Sequence, residues 1–167
     1  MTRTAFVTSE ATAAYDLGDE HPLSPLRRLL AVDLMRAYGL LDWPGVYTVE
    51  PQPATQAQIE RSHAAAYVKA VQRMSANPML AHGFEAAQWG LSPGGDTPAF
   101  PGMYDAAALV CGASIAAAME VWEGRADQAF SAGGGLHHAK RAKAGGWCAL
   151  NDLAVAGTKL MHAQSDR

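Results

Sequence analysis

The sequence predicts an α/β fold organised around a mainly parallel β-sheet. Short runs rich in β-branched and aromatic residues alternate along the chain with longer segments whose apolar residues recur at helical spacing. Strands separated by helices usually pair in parallel, because the crossover helix returns the chain to the same end of the sheet. Ligands of such sheets collect beyond the carboxyl ends of the strands. Residues that directly follow a strand are therefore the first candidates for a functional site.

Three segments are predicted to be strands. Residues 4–8 combine threonine and valine with a phenylalanine, which suits a buried strand near the start of the chain. Residues 46–49 alternate β-forming side chains and end before Pro51, since proline cannot donate to a strand ladder. Residues 129–132 form a brief apolar run that leads into three glycines. The last of these strands therefore ends where a close backbone approach to a ligand is easiest.

Helices are predicted between and after these strands. Ser24 followed by Pro25 is a helix start signal, Thr55 is a second N-cap, and Gly124 is a C-terminal stop. The predicted helices cover residues 24–38, 55–62, 64–74 and 103–123, and a last one runs from Asn151 or Asp152 to about Ala163. Residues 77–101 are rich in glycine and proline, which predicts a long irregular loop of the kind that is usually functional or disordered.

Composition bounds the class of protein. A chain of 167 residues that is 49% hydrophobic and has a net charge of -3 is one globular domain, or one large piece of one. Of its residues, 34 are alanine, which contributes little buried apolar area per side chain. The core therefore needs closely packed helices or packing against other surfaces. The acidic balance disfavours a nucleic-acid partner. Two isolated cysteines, with no signal-peptide or membrane-span pattern, lead us to expect a cytoplasmic protein without a membrane partner.

A histidine pair follows the third predicted strand, in the segment GGGLHH at residues 133–138. Two adjacent imidazoles can perform general acid and base chemistry near neutral pH if their surroundings hold one neutral and the other charged. The alternative is that His137 and His138 are surface residues of a glycine-rich turn, and spacing alone favours this. The pattern is not a metal site by itself, since adjacent rings ligate one metal awkwardly.

The longer string GGGLHHAKRAKAGGWCALND, residues 133–152, resembles the histidine-pair signature of the zinc-dependent histone deacetylase family. Further matching segments occur in the family's order: Tyr15 with Asp16, His21 with Pro22, PLR at 25–27, RAYGL at 36–40, residues 62–67, GDTP at 95–98 and GMYDAA at 102–107. The match looks best to bacterial acetoin utilization deacetylases and their acetylpolyamine amidohydrolase relatives. It implies a three-layer arginase/deacetylase-like α/β fold and hydrolysis of acetyl-lysine or small acetylated amines.

The resemblance assigns roles to individual residues. His137 and His138 match the paired catalytic histidines, which act as general base and as electrostatic or acid partner. Asp96 matches the rim aspartate that accepts hydrogen bonds from the substrate backbone. Taken alone, Asp96 is better explained as an Asx-turn residue before Pro98.

Three more residues match positions that contact the substrate. Gly146 and Trp147 match the walls of the channel that holds the acyl-lysine stem, although the family usually has phenylalanine at the second position. Arg27 matches the arginine at the inner end of the cavity. Without the resemblance, Trp147 would be taken as a core aromatic and Arg27 as a solvated helix residue.

The family's metal-binding strand, Asp-x-Asp-x-His-His-Gly-Asp, its later aspartate and its catalytic tyrosine have no match in this sequence. We therefore expect residues 1–167 to be the N-terminal portion of a single deacetylase domain that is inactive alone. Zinc is expected for the full-length family and no cofactor for this chain alone. The tautomers of the histidine pair are also expected to be unset, because their orienting aspartates lie on that missing strand.

Two other functions stay open. One is a non-catalytic assembly or binding module that retains the substrate channel, and the other is a degenerate fragment without activity. An incomplete parallel sheet would leave an unpaired edge, which a homo-oligomer would cover.

Overall fold

Three parallel strands form the sheet in the computed structural model, which describes residues 1–165. Strand β1 (Thr4–Val7) lies between β2 (Val46–Val49) and β3 (Gln128–Ser131), and Phe6 pairs with Thr48 on one side and with Phe130 on the other. The predicted parallel sheet is confirmed, with β3 beginning one residue earlier than expected. Among the described residues, β2 and β3 are the two edge strands of the sheet.

Six α-helices surround this sheet in the described residues. Their bounds are α1 Pro25–Ala37, α2 Gln56–Ser62, α3 Ala65–Ala76, α4 Phe84–Trp89, α5 Met103–Trp122 and α6 Asp152–Ser165. Thr55 caps α2 in a reciprocal capping box with Gln58, and Gly124 follows the end of α5 in the left-handed region, as predicted. Ser24 precedes α1 but makes no side-chain cap hydrogen bond, so its predicted N-cap bond is absent and the start signal comes from Pro25.

The predicted irregular loop at residues 77–101 is partly helical. Asn77 accepts from the backbone N–H of Met79 and opens a 3₁₀ turn, Pro78–His82, which leads directly into α4. Gly90, in the left-handed region, then ends α4. These elements are too short to show helical periodicity, which is why the density of glycine and proline suggested a loop.

The helices form layers on the two faces of the sheet. Helix α1 lies on the face that carries the stacked rings of Phe6 and Phe130, whose centroids are 5.7 Å apart, and leaves Phe130 50% exposed. Helices α5 and α6 pack together on the opposite side, where Ala5 and Val7 are fully buried. Close helix packing thus makes a core from small side chains, as the alanine content predicts.

Helix α5 is the one helix in residues 1–165 that is long and apolar enough to cross a membrane by length and composition. Half of it is buried inside the protein, including Val110, Cys111 and Ser114. A central core helix passes the same test, and α5 packs against α6 and the sheet as such a helix does.

Candidate functional site

The glycine-rich loop after β3 holds the first histidine of the pair in a defined orientation. The His137 ring nitrogen Nδ1 lies 2.8 Å from the carbonyl oxygen of Gly135. Because a carbonyl oxygen only accepts, Nδ1 is the nitrogen that carries the proton, and Nε2 of the neutral ring is left as an acceptor. The expectation that nothing in this chain would set the tautomer is therefore wrong for His137. Gly135 itself has a φ of 98°, which favours glycine at this turn.

The second histidine stacks beside the first at the protein surface. The ring centroids of His137 and His138 are 4.2 Å apart with an interplanar angle of 39°. Both side chains are exposed, and the described residues offer no hydrogen bond to the His138 ring. A Cβ at position 146 would lie 2.6 Å from Cβ and Cγ of His138. Gly146 is thus packed directly on the His138 ring, so the space that glycine leaves here is occupied by the histidine.

A tight turn presents Trp147. Gly145 and Cys148 exchange backbone hydrogen bonds of 3.2 and 3.0 Å, and both central residues have positive φ, 54° at Gly146 and 69° at Trp147. A tryptophan in the left-handed region costs about 1–2 kcal/mol, a strain typical of functional positions. The Trp147 side chain is 39% exposed, so it is not a core aromatic.

The buried side chain of Tyr15 holds this turn in place through two hydrogen bonds. Its hydroxyl donates to the carbonyl oxygen of Trp147 at 2.8 Å and accepts from the backbone N–H of Ala149 at 2.9 Å. Burial raises the pKa of Tyr15 well above its usual value, so the hydroxyl keeps the proton it donates. The buried phenol therefore determines where the exposed indole lies.

His21 links Trp147 to the predicted rim aspartate. The His21 and Trp147 rings meet edge to face at 5.4 Å, and the His21 Nδ1 atom accepts from the backbone N–H of Leu23 at 3.1 Å. The other ring nitrogen, Nε2, then donates to the backbone carbonyl of Asp96 at 3.3 Å. The carboxylate of Asp96 is exposed and makes no hydrogen bond among the described residues, which disfavours the Asx-turn alternative.

Arg27 lies apart from the histidine pair, Trp147 and Asp96. Its exposed side chain lines a cavity of about 350 Å³ between α1 and β3, which Gly134 also borders from the histidine loop. The neighbouring Arg28 makes the firmer contacts, since its guanidinium donates to the carbonyl of Gly133 at 3.2 Å and to that of Thr12 at 2.8 Å. Partial burial lowers the pKa of Arg28 from its usual value. The arginine that holds the glycine loop is thus Arg28.

Two residues at the start of α6 support the same loop and were assigned only a capping role by the sequence pattern. Asn151 donates to the carbonyl oxygens of His137 and Ala139, and Asp152 accepts from the backbone N–H of Gly135. The nearby His63 is buried, and its Nε2 atom accepts from the backbone N–H of Asn151 at 3.0 Å. Burial lowers the pKa of His63, consistent with a neutral, structural ring.

Residues 1–165 contain no group of three or more histidine, cysteine, aspartate or glutamate side chains arranged to hold a metal ion. A catalytic zinc needs three protein ligands and an open position. The residues in this part of the chain therefore do not fit a zinc site.

Fold and site together define an α/β protein that presents a histidine pair on a glycine-rich loop beyond the carboxyl end of a parallel strand. The family model described as the histone deacetylase domain matches residues 21–167, and the chain belongs to the histone deacetylase family. The resemblance seen in the motifs and the α/β fold class, as a partial domain, are thereby confirmed.

Curated relatives align with nearly all of this chain. It is 33% identical over 159 residues to histone deacetylase clr6 of Schizosaccharomyces pombe, covering 95% of this chain and 38% of the relative. It is 36% identical over 156 residues to acetoin utilization protein AcuC of Bacillus subtilis, covering 93% and 39%. Histone deacetylase RPD3 of Saccharomyces cerevisiae is 30% identical over 159 residues, covering 95% and 36%. The chain spans less than two-fifths of the length of each of these three relatives.

Proposed function

We propose that residues 1–167 are the N-terminal portion of a single deacetylase domain whose complete form hydrolyses acetyl-lysine or small acetylated amines. The observation that carries this is the histidine pair, with rings 4.2 Å apart and one tautomer set by Gly135. Family membership supports deacetylation as the reaction class. The short share of the relatives' length supports a partial domain.

In this proposal the two histidines divide the proton chemistry. The ring centroids lie 4.2 Å apart, and the proposed chemistry uses one ring in its neutral form and the other in its charged form. The neutral ring accepts a proton from the attacking water, and the charged ring stabilises the developing negative charge. His137 is prepared for proton acceptance, because its Nδ1 proton is used by Gly135 and its Nε2 lone pair is available.

The rim residues hold the substrate. The half-exposed indole of Trp147 packs against the methylenes of the acylated side chain, and the exposed carboxylate of Asp96 accepts from substrate N–H groups. His21 joins these two residues through its contacts with the indole and with the Asp96 carbonyl. We propose that zinc ligands for the complete enzyme come from outside residues 1–165, and that the chain alone carries no cofactor and no deacetylase activity.

A binding module is the second candidate, and the lack of a metal-ligand cluster in residues 1–165 favours it for the isolated chain. Both candidates assume that a substrate channel forms beside Trp147 and the histidine pair. They differ in whether the chain can catalyse once zinc is present.

We expect the purified chain to bind an acetyl-lysine peptide weakly and in preference to the same peptide with free lysine. The acetylated side chain is neutral and fits against Trp147 and the histidine pair, whereas free lysine brings a charge that the channel must desolvate. The measurement is a titration followed by the NMR signals of the Trp147 indole and the two histidine rings. His138→Ala should reduce the acetyl-lysine response, and His82→Ala, a surface change elsewhere, should not.

Equal responses to the two peptides, or none, would contradict the proposed channel. A turnover assay with a fluorogenic acetyl-lysine substrate and added zinc then separates the two candidates. We expect the chain with added zinc to hydrolyse this substrate no faster than the same zinc-containing buffer without the chain. Turnover that is lost in His138→Ala would overturn the proposal that the isolated chain is inactive.

We also propose that the isolated chain associates with itself through the exposed β3 edge of the sheet and the apolar side of α1 next to it. Leu26, Leu30 and Leu34 recur every four residues along α1, and each is more than half exposed, while Phe130 on β3 is 50% exposed. Sedimentation should show a dimer or larger species that Leu30→Lys together with Leu34→Lys dissociates. A monodisperse monomer of the unaltered chain would contradict this proposal.

The same proposal places the protein in the cytoplasm, without a nucleic-acid or membrane partner. Both cysteines, Cys111 and Cys148, are buried and free, which suits a reducing compartment. Fractionation of the cells that produce the protein tests the location.

A further inference from the structure

The carboxylate of Asp152 is fully buried at the start of α6 without a basic partner among the described residues. One oxygen, Oδ2, accepts from the hydroxyl of Ser114 on α5 and from the backbone N–H of Gly135 at 2.8 Å. The other oxygen, Oδ1, has no hydrogen-bond partner there. Burying a carboxylate in this way is costly, and an acidic residue that only complements a helix N-terminus can remain exposed. A role at the helix N-terminus therefore does not explain why Asp152 is buried.

The preceding residue, Asn151, uses its side chain in two directions. Its Oδ1 atom accepts from the backbone N–H of Ala154 at 2.9 Å, which is an ordinary N-cap. Its Nδ2 atom donates to the carbonyl of His137 at 2.9 Å and to that of Ala139 at 3.0 Å. The cap needs only the oxygen, so the two bonds from the nitrogen serve the histidine loop.

Asn151 and Asp152 thus hold the loop on both sides of the histidine pair. Asp152 fixes Gly135, whose carbonyl oxygen receives the Nδ1 proton of His137, and Asn151 fixes the carbonyls of His137 and Ala139. The fit is close, because a Cβ at Gly134 would lie 2.8 Å from the Ser114 Oγ atom and 2.9 Å from the Asp152 Oδ2 atom. The loop has no room to shift toward α5.

We propose that Asn151 and Asp152 are positioning residues that set the tautomer of His137 and its stacking against His138. The proposal rests on the proposed function in one respect, that the pair performs the proton chemistry. The geometry itself is independent of substrate. It joins Ser114, Asp152, Gly135 and His137 in one chain of contacts, with Asn151 closing the loop on the other side.

The test compares variants that separate capping from positioning. Asn151→Asp keeps the oxygen that caps α6 but replaces the donor that reaches His137 by an acceptor. Asp152→Asn keeps an acceptor for Ser114 and Gly135 and places its amide nitrogen where Oδ1 has no partner, whereas Asp152→Ala removes both acceptors. The readout is the pair of ring-nitrogen signals of His137 in the histidine-labelled chain, together with the contact between the two rings seen by NMR.

We expect His137 in the unaltered chain and in Asp152→Asn to be mainly the Nδ1–H tautomer. In Asn151→Asp and Asp152→Ala the Nδ1–H fraction should fall to about half or less, because free imidazole populates both tautomers. The contact between the two rings should weaken in parallel. Thermal unfolding of each variant shows whether it is folded at the temperature of the measurement.

An unchanged tautomer and ring contact in folded Asn151→Asp would overturn the proposal, and so would failure of this cap-retaining variant to fold, which would give Asn151 a purely structural role. If Asp152→Ala does not fold, Asn151→Asp decides the matter. Peptide binding is measured separately on the unaltered chain. A chain that shows no preference for the acetylated peptide, but whose tautomer follows the expected pattern, refutes the proposed function and supports the positioning role.

Discussion

Gly112→Ala is expected to destabilise the protein by about 3 kcal/mol or more, a large part of the stability of a small domain. Gly112 is buried in the middle of α5, where the segment that follows β2 crosses the helix. A Cβ at this position would lie 1.8 Å from the carbonyl oxygen of Gln52 and 3.0 Å from the backbone nitrogen of Ala54. Both are backbone atoms, and Ala54 is tied to α5 by a hydrogen bond to the carbonyl of Ala108. The crossing segment therefore cannot yield without losing that bond. Urea unfolding measures the change.

Gly157→Ala is the matched control. Gly157 lies inside α6, and a Cβ there would meet no atom within 4 Å. The substitution should stabilise the protein by about 0.5–1 kcal/mol, because alanine loses less backbone entropy than glycine in a helix. Opposite signs for the same substitution in two helices would show that contact with Gln52 sets the cost at Gly112. A loss below about 1 kcal/mol for Gly112→Ala would contradict the close crossing.

Regular elements of this fold were predictable because their signals are local. The three strands were placed within about a residue, since β-branched runs bounded by proline or glycine mark them. Helix α4 was missed because six residues between Gly83 and Gly90 are too few to show a helical period. The crossing at Gly112 was equally hidden, because it depends on a segment about sixty positions earlier in the chain.

The candidate site divides in the same way. The histidine pair, Gly146 and Trp147 lie within one short stretch, so a motif found them together. Their supports come from distant segments: Tyr15 contacts the turn across 132 positions, and Asn151 reaches back 14 positions to His137. A pattern of residue types does not reveal such contacts. The buried Asp152 was visible only as a helix cap, since burial is a property of the packed structure.

Tyr15→Phe is expected to cost about 2–4 kcal/mol, because removing one hydroxyl leaves two backbone groups without their partner. The Tyr15 hydroxyl donates to the carbonyl of Trp147 and accepts from the N–H of Ala149, and Ala149 is fully buried. The carbonyl of Trp147 belongs to a residue with a φ of 69°, so the lost bond also releases a strained turn. Urea unfolding measures the stability, and the NMR signal of the Trp147 indole reports the turn.

Tyr67→Phe is the control, because the Tyr67 hydroxyl donates only to the carbonyl of Ala149, at 2.6 Å. The substitution removes one hydrogen bond to Ala149 and leaves the Trp147 carbonyl with its partner. We therefore expect the free energy of unfolding to fall by about 1–3 kcal/mol. The Trp147 indole signal should shift in Tyr15→Phe and stay nearly unchanged in Tyr67→Phe. Equal shifts in the two variants would show that the position of Trp147 depends on the general packing around Ala149. The specific hydrogen bond from Tyr15 would then not be what presents the indole to the substrate channel.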